Sequence, residues 1–521
     1  MKSLLILCLS LLISPLLRAG ELVEVTATLI KINHPSPESL SQIELHQQFQ
    51  IGKSGGADDL LQLASVVESG KWASIKRGRD FWYPAEYSDA KIYQAAGDDG
   101  TYTIPTTGIA SGNSTIIIPN SPTRMTNTEL GASLRVRPTV KEDGLIYIEG
   151  QFKDTVFEGL SDESIPIKVE TRQLIRQNRV HEIMTSRIDK PLFRKVEKEF
   201  AEMLPYAAGT SRNAKLLREA QSKYTYFIPI VLGNTAFGAP GKIELKEEAN
   251  PTGPIRSTVM KATMVKDFFI RPKAEQTPRE HGILRLEVKK VALPEPAPAG
   301  SRTDVYITSK FFESRSAFSF ENPVFNDATF QSEFKKLNSV KGTDIVSAPS
   351  VMVRSGQTGK IQVSREFIFP TAYSAPFFHE SEVAPATPDE FKVINVGVSL
   401  DVTASVESRN FIRLKIHNLV NTFEGMLEFG NPIMSIKSGP IKKLKPVVDN
   451  ENSVIMPVFP FRETETEILV PNGAHVAVTM IFDYHNTNHQ QDRLLRIGKA
   501  KVEEVKTPRY LTVVLSPKIA E

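Results

Sequence analysis

Apolar and polar residues alternate along much of this chain, which is the pattern of β-strands that bury one face. One alternating run covers Val23 to Ile32, and a similar run covers Asp304 to Phe312. Further runs form two pairs, each joined by a polar turn, at Lys141 to Gly144 and at Glu407 to Asn410. Both turns contain a residue that tolerates positive φ, so the pattern predicts two β-hairpins in a chain that is mainly β.

The two halves of the chain carry the same pattern. Residues 56–87 align with residues 342–373 without a gap, and ten of the 32 positions are identical. Residues 130–159 align in the same way with residues 396–425. Two collinear blocks separated by a loop of different length indicate a tandem duplication of one β-rich module. The aligned positions of most interest are Gly70, Pro84, Tyr87 and Gly131 in the first half, and Gly356, Pro370, Tyr373 and Gly397 in the second.

These repeated residues are predicted to be structural. The glycines and prolines suit turns or bulges, and the tyrosines, with Phe81 and Phe367, suit a sheet core. Arg79 and Arg365 each precede an acidic residue, which predicts solvated ion pairs or, if they are functional, subunit contacts. We expect the cores of the two modules to superpose with the same strand order.

Between the two halves the pattern changes. Pro191 to Leu204 and Ser211 to Lys223 mix charged and apolar residues at helical spacing, and a proline-rich run at 294–300 predicts an extended link. The expected fold is mainly β with some α, as two tandem β modules joined by a helical and mixed segment. The expected division is a signal peptide at 1–20, a first module at 21–180, a helical and then β-rich connecting segment at 181–298, and a second module at 299–521.

The beginning of the chain predicts export. Lys2 precedes the apolar run Leu4 to Leu17, as in a secretory signal. Cys8 is the single cysteine and lies in this run, so the mature chain is expected to have no thiol and to depend on core burial. The chain has 63 basic and 60 acidic side chains, which gives no reason to expect a nucleic-acid partner.

No set of residues predicts catalysis, a cofactor or a metal site. His181-Glu182 and His379-Glu380 begin like a zinc-binding helix, but a second histidine is missing at the required spacing. The glycine-rich stretch 233–242 lacks the spacing of a phosphate-binding loop. We therefore expect a protein that is not an enzyme, without cofactors.

Several short motifs resemble the C-terminal domain of the secretins. Gly131 to Val136 has the pattern Gly-x-x-Leu-x-Val, which Gly397 to Val402 repeats, each followed four residues later by a valine. Val346 to Val351 is similar to the family's strand ending in Ser-x-Pro, Arg462 to Met480 to its threonine-rich strand and glycine turn, and Tyr510 to Ile519 to its closing strand. Secretins are outer-membrane ring proteins of type II and type III secretion and of type IV pilus assembly.

The resemblance implies a non-enzymatic component of the periplasm or outer membrane of a Gram-negative-type cell. Such a component would act by oligomerisation, with further copies of itself and the secretion or pilus machinery as partners. The sequence departs from the family at Ile481 to Arg509, which is polar where secretins usually have a segment rich in Gly, Pro and Leu. This departure keeps open an alternative, a soluble periplasmic or cell-surface binding protein with two modules that has lost pore formation.

The largest difference between the two halves is the loop Ser88 to Glu129. It is rich in glycine and proline, and its one apolar stretch is Thr115 followed by Ile116, Ile117 and Ile118. In secretins the corresponding position projects into the channel as part of the gate. The resemblance therefore implies a projecting hairpin through which this protein contacts a partner or itself.

Overall fold

The structure is a computed structural model. It describes residues 20–32, 37–54, 61–89, 91–95, 102–103, 115–142, 144–162, 188–203, 223–232, 244–248, 259–263, 280–297, 303–314, 322–339, 344–379, 382–408, 410–436, 446–482 and 509–520. Residues 1–19 of the predicted signal peptide lie outside these residues. Within the described part of the chain, no helix is long and apolar enough to cross a membrane.

The first half consists of a strand, a helix and a series of further strands. Its elements are β1 Leu22–Ile32, a 3-10 turn Pro37–Ser39, α1 Gln42–Ser54, β2 Leu61–Glu68, β3 Ala73–Tyr87, β4 Lys91–Ala95, β5 Tyr102–Thr103, β6 Thr115–Ile118, β7 Pro122–Val140, β8 Ile146–Asp162, β9 Ile188–Phe200, β10 Lys223–Leu232, β11 Glu244–Glu248, β12 Val259–Thr263 and β13 Glu280–Val291.

The second half begins in the same way, with a strand and then a helix. Its elements are β14 Asp304–Ser314, β15 Val324–Phe325, α2 Asp327–Ser339, β16 Asp344–Ser347, β17 Ser350–Arg354, β18 Gln357–Pro370, β19 Tyr373–Ser374, β20 Phe377–His379, β21 Glu382–Ala384, β22 Thr387–Pro388, β23 Phe391–Ser408, β24 Phe411–Asn421, β25 Gly425–Glu428, β26 Ile433–Ile436, β27 Pro446–Asn450, β28 Ile455–Pro471, β29 His475–Phe482 and β30 Arg509–Ile519.

The long strands of both halves form one antiparallel sheet. Its order is β18-β23-β24-β28-β3-β7-β8-β9, and β25 pairs with part of β28. The first four strands of this order come from the second half and the last four from the first half. We call this nine-stranded unit the long sheet, and the pairing of β28 with β3 the central joint.

A smaller sheet packs on one face of the long sheet in each half. The order β10-β13-β1-β2 covers the first half, and β15-β29-β30-β14, with β16 and β17 beside β14, covers the second. Buried apolar side chains from both layers form each core, for example Leu134 and Leu286 in the first half and Leu414 and Val513 in the second. Each half is therefore a two-layer β structure, in agreement with the predicted mainly-β fold.

Both helices have a hydrogen-bonded N-terminus, although the sequence patterns above predicted neither helix. Ser41 and Glu44 form a capping box at α1, in which the backbone N–H of Ser41 donates to Glu44 Oε2 over 2.8 Å. At α2, the side-chain oxygen of Asn326 accepts the backbone N–H of Thr329 over 2.9 Å.

The predicted helix at 191–204 is wrong for residues 191–200, because they belong to β9. This strand pairs with β8 and places Lys198 opposite Phe152. Val196 and Phe200 are buried and four residues apart, a spacing that fits a helix as well as a strand. Residues 211–222 of the other predicted helix lie outside the described residues. In the segment predicted to be a connector, β9 pairs with β8 and β13 pairs with β1, both strands of the predicted first module, and β10 pairs with β13.

Candidate functional site

The aligned glycine turns have the same conformation in both halves. Gly70 and Gly356 have φ angles of 81° and 85°, in the left-handed region that favours glycine. The preceding serines, Ser69 and Ser355, each accept a hydrogen bond of 2.9 Å from a valine N–H on the neighbouring long strand. Each turn therefore ties the start of one long strand to the end of the next.

The second pair of aligned glycines lies inside the long strands. Gly131 and Gly397 have φ angles of 116° and 146°. A Cβ at Gly131 would lie 2.3 Å from the carbonyl oxygen of Arg77, and a Cβ at Gly397 would lie 2.2 Å from that of Val363. A side chain would collide with backbone at both positions, so each pair of strands can approach this closely only at glycine.

The other predicted repeat positions take less similar places. The pairing of β3 with β7 shifts register after Pro84, whereas Pro370 ends β18. Tyr373 is buried, and its hydroxyl donates to the carbonyl oxygen of Ile455 over 3.2 Å. Tyr87 is half-buried at the end of β3. The structural role assigned to these four residues from sequence stays a prediction.

The central joint connects the two halves by strand pairing. β28 runs antiparallel to β3, from Val458 opposite Phe81 to Glu465 opposite Ser74. β3 is the first long strand of the first half, and β28 is the last long strand of the second half. The joint is therefore head-to-tail, because two different edges meet in it.

Arg79 forms an ion pair across the central joint. Its Nε donates to Glu424 Oε2 over 2.6 Å and its Nη2 donates to Glu424 Oε1 over 3.1 Å. The neighbouring Asp80 instead accepts a hydrogen bond of 2.6 Å from Asn127. The prediction of a solvated pair between Arg79 and Asp80 is thus wrong, because the guanidinium is held in a two-point contact with the other half.

Two lysines of the first half extend this polar contact. Lys76 Nζ lies 2.8 Å from Glu463, and Lys71 Nζ lies 2.8 Å from Glu467. Burial acts to raise the pKa of Glu463, but hydrogen bonds from Lys76 and His417 outweigh it, so this pKa lies below its ordinary value. The hydrogen bond to Glu463 is also the main cause that raises the pKa of Lys76. Both groups are therefore held in their charged forms.

An apolar cluster covers one face of the same joint. Trp82 and Met125 of the first half are buried against Phe369, Met456 and Phe459 of the second. The rings of Trp82 and Phe369 meet edge to face, with centroids 5.1 Å apart. The two halves are thus joined by backbone pairing, ion pairs and desolvated aromatic side chains.

The predicted interaction loop also meets the second half. Ile116, Ile117 and Ile118 lie in β6, are buried, and belong to a small sheet of order β27-β26-β6-β4-β5. In it, Ile117 pairs with Met434 of β26. The strand of the three isoleucines therefore contacts the second half of the same chain. The contact of this loop with a partner protein stays a prediction.

The two outer edges of the long sheet stand open among the described strands. β18 pairs only with β23, and β9 pairs only with β8. Beside the β18 edge, large apolar side chains are exposed, namely Val363, Ile368, Phe391 and Val393. An exposed strand edge can accept a further strand, so these two edges are candidate interaction surfaces.

Sequence reasoning missed one polar array around a buried histidine, whose members are far apart along the chain. Both ring nitrogens of buried His475 have partners, because Nδ1 lies 2.5 Å from Ser516 Oγ and Nε2 lies 2.7 Å from Asp327 Oδ1. Burial lowers the pKa of His475, although Asp327 acts against this. The neutral ring can accept from the serine and donate to the aspartate. The array fastens the first turn of α2 to β29 and β30.

Among the described residues, no group of three or more His, Cys, Asp and Glu side chains could hold a metal ion. His379 is described and exposed, whereas Glu380, His181 and Glu182 lie outside the described residues. The surfaces built by the long sheet are suited to bind another strand or sheet edge.

Comparison with known proteins identifies a domain in the second half. Residues 336–492 match the family model "Secretin: Bacterial type II and III secretion system protein". This part of the chain, from the end of α2 to beyond β29, is a secretin domain, and the resemblance predicted from the sequence motifs is confirmed there. The match does not include the first half, whose identity as a second copy stays a prediction. No curated protein matches the chain.

The chain is also similar to solved secretins. The type II secretion system secretin GspD of E. coli K12 is 12% identical, with a TM-score of 0.19, over 42% of this chain and 51% of that chain. XcpQ from Pseudomonas aeruginosa is 12% identical, with a TM-score of 0.18, over 48% and 67%. The type IV competence pilus secretin PilQ of V. cholerae is 9% identical, with a TM-score of 0.17, over 99% and 65%. This chain thus spans about half the length of the first of these.

Proposed function

We propose that this protein is a non-enzymatic component of the envelope of a Gram-negative-type cell, in a type II or type III secretion or type IV pilus assembly apparatus. The secretin domain at residues 336–492 is the observation that supports this most. We further propose that the protein acts by oligomerisation. Two edges of the long sheet have no neighbour among the described strands, and this supports the step because strand pairing between edges joins subunits without any further binding site.

Electron microscopy and mass photometry of the purified mature protein, with and without detergent, test the proposal. We expect closed oligomers of one or a few sizes. A protein that stays monomeric in every condition would contradict the assembly step.

Cell fractionation tests the location of the protein, and a deletion strain tests its part in secretion or pilus assembly. We expect the protein in the envelope fraction, and we expect its deletion to impair export of a secreted protein or formation of pili. Release by osmotic shock without detergent, together with normal secretion and piliation in the deletion strain, would support the soluble binding protein instead.

A further inference from the structure

Each half of the chain presents two different edges, and the central joint uses one edge from each half. Along the chain, the first long strand of the first half is β3 and the last is β9. In the second half the first long strand is β18 and the last is β28. The registers agree, since Lys198 of β9 faces Phe152 and Thr464 of β28 faces the aligned residue Asn418. The central joint pairs β28 with β3, which leaves β9 and β18 without a second neighbour among the described strands.

We propose that β18 of one chain pairs with β9 of a second copy, antiparallel and in the register of the central joint. This inference rests on the proposed function, because it names the surfaces through which the chain would oligomerise. Transferring the register of β3 and β28 places Val363 opposite Val196 and Lys360 opposite Glu199. The second joint is again head-to-tail, so it propagates from chain to chain, and a closed ring contains twice as many modules as chains.

Apolar burial supports this partner. At the central joint Trp82 is 4% exposed and Met125 is 5% exposed, because the second half covers them. The aligned residues at the open edge are Ile368, which is 62% exposed, and Phe391, which is 59% exposed. The apolar surface that is buried at the central joint thus has an exposed apolar counterpart beside β18. This is expected if a first half from another chain covers the exposed surface.

The ion pair of the central joint gives a second, independent reason. Arg79 and Glu424 both belong to the repeated blocks, and their counterparts are Arg365 and Glu158. Arg365 is exposed at the open β18 edge. The same geometry between chains would pair Arg365 with Glu158 of the second copy.

One contact in the transferred register joins like charges, since Arg194 of β9 would face Arg365. The central joint contains a similar pair, with Arg462 opposite Arg77. An arginine pair is therefore compatible with this type of joint. Burial raises the pKa of Asp154, and the neighbouring Arg194 acts against this.

Disulfide trapping tests the register. Opposite residues of antiparallel strands have Cα atoms about 4.5–5.5 Å apart, within the reach of a disulfide. In a Cys8→Ser background, Val196→Cys with Val363→Cys should give a ladder of covalent multimers after oxidation. The matched control, Val196→Cys with Gln362→Cys, places the thiols on opposite faces and should give at least tenfold less.

A charge exchange tests the joint without thiols. Arg365→Glu should reduce the oligomer fraction at least tenfold, and adding Glu158→Arg in the same chain should restore it. Lys335→Glu, on the exposed face of α2, is the control and should leave assembly unchanged. The inference alone would be overturned if Arg365→Glu forms oligomers normally and the Val196→Cys, Val363→Cys variant gives no crosslink. A crosslink found only within single chains would overturn it as well. An unmodified protein that never oligomerises would overturn the proposed function as well.

Discussion

Alanine at Gly131 should destabilise the first half far more than alanine at Gly70. Both glycines have positive φ, and left-handed backbone costs an L residue about 1–2 kcal/mol. At Gly70 nothing lies within 4 Å of the added Cβ, and alanine also restricts the unfolded chain, so the net cost should be about 1 kcal/mol. At Gly131 the Cβ would lie 2.3 Å from the Arg77 carbonyl oxygen. Backbone strain of about 1–3 kcal/mol and a lost ladder hydrogen bond of about 1 kcal/mol give about 3 kcal/mol.

Urea unfolding followed by tryptophan fluorescence measures this difference. Both tryptophans of the chain, Trp72 and Trp82, lie in the first half, so their emission reports on that half and, through Trp82, on its contact with the second half. With an m-value of about 3 kcal/mol/M, the midpoint should fall by about 1 M for Gly131→Ala and about 0.3 M for Gly70→Ala. Equal shifts for the two variants would refute the argument that contact between the strands, and not φ alone, requires glycine at position 131.

Three further predictions concern charged groups. Burial raises the pKa of Asp154 from 3.8 to about 6, so its stabilising contribution is present below pH 3.8 and is lost as the pH rises through 6. Asp154→Asn should therefore raise the unfolding free energy at pH 7 by up to about 3 kcal/mol. An unfolding free energy with the same pH dependence in the variant would contradict this. Burial lowers the pKa of His475, so its contribution to stability is present above pH 6.5 and is lost as the pH falls. His475→Gln should therefore lose less thermal stability than the unmodified protein below pH 6.5. An equal loss of thermal stability in the two proteins would count against this. A double-mutant cycle of Arg79→Ala and Glu424→Ala should give a coupling energy of about 1–3 kcal/mol from urea midpoints, whereas additive effects would show that the pair contributes nothing.

Local patterns in the sequence were enough to predict the two hairpins of the long sheet. The turn at Lys141 to Gly144 joins β7 and β8, and the turn at Glu407 to Asn410 joins β23 and β24, as expected. Alternation is a short-range signal, since each residue faces away from the next. The same signal failed at β9, where charged and apolar residues at helical spacing predicted a helix, because the spacing of Val196 and Phe200 fits both a helix and a strand.

The central joint could not be predicted in this way. Arg79 and Glu424 both lie in the aligned blocks, but no local pattern brings them together, because their contact depends on the pairing of β28 with β3. The array around His475 was missed for a similar reason, since Asp327 and Ser516 come from different elements of the second half. Pairing between distant strands is set by the whole fold and leaves no periodic trace in the sequence.

The two open edges differ in a way that favours joining in one direction. β18 is a strand of 14 residues whose single proline is its last residue. It carries the exposed Ile368 and lies beside the exposed Phe391 of β23, so an unpaired β18 would be a site of aggregation. β9 instead carries Lys195 and Glu197 among several charges of both signs, which disfavour pairing with another copy of itself or with an arbitrary strand. A strand that pairs with β9 must place an apolar residue opposite Val196 and a basic residue opposite Glu199. The register transferred from the central joint does this for β18, with Val363 and Lys360, so the edge that most needs a partner is matched by the edge that is most selective.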